Sequence, residues 1–206
     1  DRVKGQAMNC WLVHNEALSP NWDERALPIT MVVLHYTGMR TAEEALERLV
    51  DPKAKVSAHY MIDEAGVVTR LVPEEKRAWH AGKSYWRGIT DVNSASIGIE
   101  LVNPGHEWGY RPFSEAQMEA LLPLLADIVD RHHIPRANVV GHSDIAPARK
   151  DDPGELFDWE RLARVRLALP TPKQKMRLVF DNPGAFYLAL ERFGYDVTER
   201  DAAVRA

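Results

Sequence analysis

The sequence predicts an α/β fold: a mixed β-sheet flanked by helices, with a short helical extension at the C-terminus. Three observations predict it. Residues 29–36 (ITMVVLHY) form a nearly continuous apolar run rich in β-branched side chains, as expected of a strand covered on both faces. Two further apolar runs, 56–62 and 67–72, flank DEAG at 63–66 and read as a hairpin, with Gly66 supplying a positive φ. Between such strands lie helical patterns with start signals, so strands and helices alternate irregularly around at least one antiparallel pair.

In chain order, residues 1–7, ahead of Met8, read as a cloning remnant, and residues 1–19 as an N-terminal segment. Pro20, Pro28 and the polar residues between them predict a loop. TAEE at 41–44 is a capping-box pattern opening a helix that stops near Pro52. Residues 97–102 predict a strand and 105–112 a loop. A second capping-box pattern, SEAQ at 114–117, carries Phe113 and Met118 where a hydrophobic staple would sit. Its helix is expected to run to about His132 with a kink at Pro123. Residues 138–141 predict a short strand, and Asp158 can cap a helix ending before Pro170. Beyond Pro170 the composition shifts. Asn182 can cap a helix whose Phe186, Ala189, Leu190 and Phe193 follow the i, i+3, i+4, i+7 pattern, with Gly194 as its stop. Residues 170–206 are too few for a core of their own, so they either dock on the main domain, expected at 20–169, or begin a further module.

Composition narrows the function. The chain has 206 residues and a formal charge of −4, which gives no electrostatic footprint for nucleic acid, and no Lys/Arg cluster suggests an anionic membrane surface. A lone cysteine, Cys10, excludes an intramolecular disulfide framework and a Cys-rich zinc knuckle. No apolar run approaches the ~18 residues of a membrane span. The expectation is a soluble monomer, reduced and cytoplasmic, or periplasmic if a signal peptide has been removed.

The chemistry-bearing residues are histidines at strand ends and the loop after one of them. His35 ends the first buried strand. His142 ends another, and Asp152 follows it just before a Pro-Gly turn. Two imidazoles and a carboxylate brought together from strand ends make a three-ligand set for Zn²⁺, with a fourth position open to water whose pKa can fall to about 7. The same residue types suit an iron site built on two histidines and a carboxylate. The plainer reading also stands on residues alone: strand-end histidines are commonly hydrogen-bonded core residues, and Asp-Pro-Gly is commonly just a turn.

The segments LHYTG (34–38), SAHYMID (57–63), AWHAG (78–82), SIGIELVN (96–103) and GHSDIAPARKDDPG (141–154) occur in this order. Together they resemble the zinc-dependent N-acetylmuramoyl-L-alanine amidases of the amidase-2 type, kin to phage lysozyme-type amidases and peptidoglycan-recognition proteins. The long 141–154 loop resembles that of the AmpD-type branch, which trims anhydro-muropeptides during wall recycling, and of its periplasmic relatives. The resemblance implies one catalytic zinc on His35, His142 and Asp152. It also implies Glu100 as the acid that activates the zinc-bound water and passes a proton to the leaving amine, and Lys150 as the cation that stabilises the oxyanion. Two departures from the phage pattern, Ala58 in place of a Tyr and Asp152 in place of a Cys, are those the AmpD-type branch shows.

By the same resemblance Trp79 and His80 line a cleft, with His80 on the peptide or lactyl carbonyl. Asn93 and Asn103 are candidates for glycan or peptide backbone, and Arg149 for a stem-peptide carboxylate. Asp144 is expected to orient a ligand imidazole. Each has a structural alternative in packing or turn formation, and His59 reads as core. Trp86, Trp108 and Tyr110 sit in loops where they can stack on sugars or anchor the loop. The implied partner is a muropeptide or peptidoglycan fragment. A competing reading is a polymer-cutting envelope amidase, which the FGYDV run of the tail favours by its likeness to peptidoglycan-binding modules. A binding-only module on the same fold is disfavoured, because all three ligand positions and the Glu100/Lys150 pair are filled.

Overall fold

The structure, a computed structural model, describes residues 12–170 and 183–206. Cys10, the segment 1–7 and the Asn182 cap lie outside the described residues. The strands are β1 (Asn15–Glu16), β2 (Trp22–Glu24), β3 (Met31–Tyr36), β4 (Tyr60–Ile62), β5 (Val68–Arg70), β6 (Lys76–Ala78), β7 (Ser96–Leu101) and β8 (Val139–Gly141). Six of them form one sheet in the order β1-β5-β4-β7-β3-β8. The β4–β5 pair is antiparallel, and the β1–β5, β4–β7, β3–β7 and β3–β8 pairs are parallel, so the sheet is mixed as expected. β3 is buried along almost its whole length, in keeping with its unbroken apolar run.

One face of the sheet packs against α4 (Glu115–Arg131). Val32 and Leu34 of β3 and Ile97, Ile99 and Leu101 of β7 meet Met118, Leu121, Leu124, Leu125 and Ile128 of the helix in one core. The Ser114 cap forms both halves of its box with Gln117, and the helix continues through Pro123. The opposite face carries smaller clusters beneath α1 (Ala42–Val50) and around Trp86. At α1 only half the predicted box exists: Thr41 accepts from the Glu44 N–H, but the Glu44 carboxylate accepts from Arg40 N at 3.2 Å instead of from the cap itself. The hairpin turn forms as read, with Gly66 at φ +81° and Asp63 Oδ1 accepting from Ala65 N and Val67 N.

Two loop expectations are corrected, and one helix was not foreseen. The Pro20–Pro28 segment contains β2, paired antiparallel with β6 and clipped by Arg77–Asp23 and Lys76–Glu24 contacts. Such a strand, short, exposed and polar, has no period to read. The stretch before β7 holds α2 (Val92–Ala95), capped by Asp91, and the 105–112 loop opens with α3 (Gly105–Trp108). Single turns such as these, and α5 (His142–Ile145), are fixed by tertiary contacts rather than by periodicity. The Asp158-capped α6 spans Trp159–Arg164.

In the C-terminal extension, α7 (Pro183–Phe193) and α8 (Arg200–Arg205) follow. It docks on the main body: Phe193 and Tyr195 pack edge-on against the buried Trp86, and Arg87 donates through Nε to Phe193 O at 2.8 Å. No helix among the described residues is long and apolar enough to cross a membrane.

The C-terminal end of α4 is locked by a buried ion network. Arg131 donates to both Glu74 oxygens at 2.7 and 2.8 Å and to Asp127 at 2.7 Å, while the Tyr60 hydroxyl donates to Glu74 at 2.6 Å. Burial alone would raise the Glu74 carboxyl, but the hydrogen bonds from Arg131, His132 and Tyr60 outweigh it and hold the group well below the usual carboxylate range. Because the folded value is depressed, its stabilisation is complete above the unfolded value of about 4.3 and is lost as the pH falls through the interval beneath it. Glu74→Gln is expected to cost about 3 kcal/mol at pH 7, since it leaves Arg131 with one carboxylate. In urea melts the gap between wild type and variant should narrow steadily below about pH 4. A gap independent of pH overturns this account.

Candidate metal centre and its cleft

The site lies at the carboxyl ends of the parallel strands, where open α/β sheets place their ligands. In the β3–β7 register His35 stands opposite Glu100, so the two side chains leave the same face of the sheet on neighbouring strands. On the other side, Gly141 stands opposite Leu34, which carries His142 to the position next to His35. Asp152 returns to this point because Ser143 N donates to its carbonyl at 2.9 Å, closing the intervening loop.

His35 Nδ1, His142 Nδ1 and Asp152 Oδ2 form a triangle with sides of 2.9, 3.0 and 3.1 Å, and all three residues are buried. A tetrahedral ion with bonds near 2.0 Å has ligand atoms about 3.3 Å apart, close to these separations. The donor set fits a cation on chemical grounds as well. His142 Nε2 lies 3.1 Å from Ala81 O, and a carbonyl only accepts, so the proton is on Nε2 and Nδ1 presents a lone pair. The carboxylate oxygen beside it is likewise an acceptor. Burial, followed by the neighbouring His142, pushes His35 down to about 4, so its imidazole is neutral at physiological pH. The group can therefore hold a metal ion.

Beside it opens a cleft of about 530 Å³, lined by Tyr36, Trp79, Glu100, Trp108 and Lys150 together with His142 and Asp152. Glu100 Oε2 is buried without a hydrogen-bond partner among the described residues. Burial, and next the Asp152 charge, push the Glu100 carboxyl well above its usual value, while Lys150 pulls it down. An acid so placed can take a proton from a group in the cleft and return it to another.

The other residues singled out in the sequence divide sharply. Trp79 lines the cleft, half-buried, with Nε1 buried and unpartnered among the described residues. Trp108 is exposed at the cleft with the Arg40 guanidinium 4.0 Å over its ring. His80 borders the cleft, yet its nitrogens face His35 Nε2 at 3.0 Å and Ser96 Oγ at 3.1 Å, so it has no free nitrogen for a peptide carbonyl. Asn93 Oδ1 accepts from His80 N and Ala81 N, and Asn103 bonds Arg111 O and Gly105 N. The Asn103 amide is spent on backbone at both ends, and the Asn93 amide through its oxygen. Arg149 Nη2 donates to Ala81 O at 2.7 Å and Lys83 O at 2.8 Å. Asp144 touches no ligand imidazole: it accepts from Gly141 N at 2.7 Å and from the Tyr195 hydroxyl at 2.5 Å, holding the turn that precedes His142. The imidazole's partner is the Ala81 carbonyl, and no sequence pattern announces a carbonyl. Ser96 also went unnoticed, because a buried serine inside an apolar strand reads as filler.

An open three-donor cation site beside a buried proton carrier is the equipment of a hydrolase. Residues 25–155 match the family described as N-acetylmuramoyl-L-alanine amidase, and the chain belongs to it. It is an N-acetylmuramoyl-L-alanine amidase, as its relatives are named. It is 40% identical over 197 residues to the amidase AmiD of Escherichia coli K12, covering 82% of this chain and 67% of that protein. It is 34% identical over 181 residues to the 1,6-anhydro-N-acetylmuramyl-L-alanine amidase AmpD of Haemophilus influenzae, covering 78% of this chain and 94% of that one. The solved complex of E. coli AmiD with anhydro-N-acetylmuramic acid-L-Ala-D-gamma-Glu-L-Lys superposes with a TM-score of 0.73 at 39% identity, over 86% of this chain and 76% of that one.

Asp152→Ala should remove one of the three donors and release the ion. After zinc loading and dialysis, elemental analysis is expected to find about one zinc per wild-type chain and little in the variant. Equal retention by both removes Asp152 from the site.

Proposed function

We propose that this chain hydrolyses the amide between N-acetylmuramic acid, in its 1,6-anhydro form, and the L-Ala of the stem peptide, with one zinc ion on His35, His142 and Asp152, in peptidoglycan recycling. The observation that carries the reading is the convergence of three acceptor atoms about 3 Å apart, directly beside a carboxylic acid with an unpartnered oxygen. The anhydro sugar is proposed because AmpD is named for it and the AmiD complex contains it.

Zinc bound there supplies a Lewis acid for the amide carbonyl and acidifies water. The protein's own groups do the rest. Glu100, opposite His35 and raised by burial, takes a proton from the attacking water and returns it to the leaving L-Ala nitrogen. Lys150, whose charge reaches both Glu100 and His35, offsets the negative charge that develops on the carbonyl oxygen. Trp79 and Trp108 offer apolar surface to sugar or peptide in the cleft. We take a monomer as the working unit.

We assign residues 20–169 to the amidase domain and 170–206 to the extension, and place the enzyme with soluble muropeptides in the cytoplasm. The second reading is a periplasmic or envelope enzyme that also cuts polymeric peptidoglycan. It is favoured by the likeness of the FGYDV tail to peptidoglycan-binding modules.

Mass spectrometry of a defined anhydro-muropeptide should show the free sugar and an intact peptide, lost with a chelator and restored by zinc. Glu100→Gln is expected to lower turnover about 10²–10⁴-fold with zinc retained, and Lys150→Ala about 10²–10³-fold. An unchanged rate in Glu100→Gln removes it from the reaction. Digestion of intact sacculi as fast as the soluble fragment, with fractionation to the envelope, selects the second reading.

A further inference from the structure

We propose that Ser96 and His80 form a relay that fixes which nitrogen of His35 carries its proton, making His80 a positioning residue for the metal centre. The inference rests on the metal reading of the three-donor site. Its starting point is a group that only accepts, the Val92 carbonyl.

Ser96 Oγ lies 2.5 Å from Val92 O, so the hydroxyl hydrogen points there and the serine oxygen is left to accept. His80 Nε2, 3.1 Å from that oxygen, must then carry a proton. In a neutral imidazole this leaves His80 Nδ1 as the acceptor, and it faces His35 Nε2 at 3.0 Å. His35 is thereby held with its proton on Nε2 and its Nδ1 lone pair toward His142 and Asp152. The opposite arrangement would place a proton on His35 Nδ1, within 3.0 Å of both other donors, where a cation belongs.

Two features show that the fold makes room for this ring and holds it. Gly98 of β7 lies beneath the imidazole, and a Cβ there would overlap the ring atoms of His80. Asn93 Oδ1 accepts from both His80 N and Ala81 N. One amide therefore fixes the segment that supplies the outer partners of both ligand histidines, since Ala81 O holds His142 Nε2. His59 and Arg25, the other basic groups near His80, are occupied elsewhere. His59 bonds Gly98 N and Lys76 O, and Arg25 donates to the carbonyls of Glu74, Asn93, Ser94 and Ser96.

The test uses the full chain and zinc alone, with affinity read by competition against a chromophoric chelator. His80→Leu fills the space without an acceptor, His80→Asn keeps an acceptor near the Nδ1 position, and Ser96→Ala removes the proton-setting hydroxyl. Loss of an outer partner typically costs 10–100-fold in metal affinity. His80→Leu is expected to lose that much, Ser96→Ala several-fold less, and His80→Asn to recover most of it. Long-range ¹H–¹⁵N correlation on the metal-free wild type supplies a second readout independent of any variant's folding: His35 is expected as the Nε2–H tautomer, and as a mixture in Ser96→Ala. Wild-type zinc affinity in His80→Leu, or a loss in His80→Asn as large as in His80→Leu, overturns the relay, as does an Nδ1–H tautomer in the wild type. A wild type that binds no zinc yet keeps the Nε2–H tautomer overturns the metal reading and leaves the relay standing.

Discussion

The structure depends on the parallel pairing of β3 with β7 on one side and β8 on the other. That pairing sets His142, His35 and Glu100 side by side at the carboxyl ends of three neighbouring strands. The side-chain period of a strand is two, so a slip of one residue would turn His35 into the α4 core and bring Leu34 into the cleft. The register is held by that same core: Val32, Leu34, Ile97, Ile99 and Leu101 are fully buried against α4. The hydrophobic pattern on one face thus determines the chemistry presented on the other.

Gathering so many polar groups in a dry interior is costly unless each finds a partner. His35, His59, His80, His142 and Asp152 are all buried. Burial, with Arg25 next, pushes His59 down to about 3, and neutral imidazoles can be stored where imidazolium ions cannot. Their hydrogen bonds run largely to one another, with Ala81 O, Lys76 O and Gly98 N as the backbone partners. Gly98 shows the economy of the packing: its N–H donates to His59 Nδ1 at 2.9 Å, and its missing Cβ admits His80. Arg25 beneath them spends its donors on carbonyls and on His59 Nε2, 2.8 Å away, and burial lowers even this guanidinium to about 10.

What was legible in the sequence was local or periodic. The unbroken run of β3, the Ser114–Gln117 box and the Asp63–Gly66 turn each advertise themselves within a few residues, and each forms. The three donors and Glu100 were legible because chemistry-bearing residues at strand ends, set in a family's ordered motifs, leave few alternatives. The outer partners were not. Asn93, Asn103 and Arg149 look like ligand-binding residues by type, but their hydrogen bonds go to backbone groups whose proximity only the folded chain creates. Thr41 marks the limit even of local signals: its box pattern is complete in the sequence, yet Glu44 reaches past it to Arg40.

The extension beyond Pro170 is tied to the site by one carboxylate. Asp144 is half-buried, and desolvation pushes its carboxyl up despite the bonds from Tyr195 and Gly141. One oxygen holds the N–H of Gly141, the residue immediately before a metal-ligand candidate, and the other holds the Tyr195 hydroxyl. Tyr195 is itself anchored edge-on against Trp86, 5.1 Å between ring centroids, and Trp86 through its indole N–H reaches Asn138 at the start of β8. Removing the tyrosine would leave the Asp144 carboxylate one partner short. The extension and the turn that precedes His142 thus share one carboxylate, although none of the described residues of the extension lines the cleft.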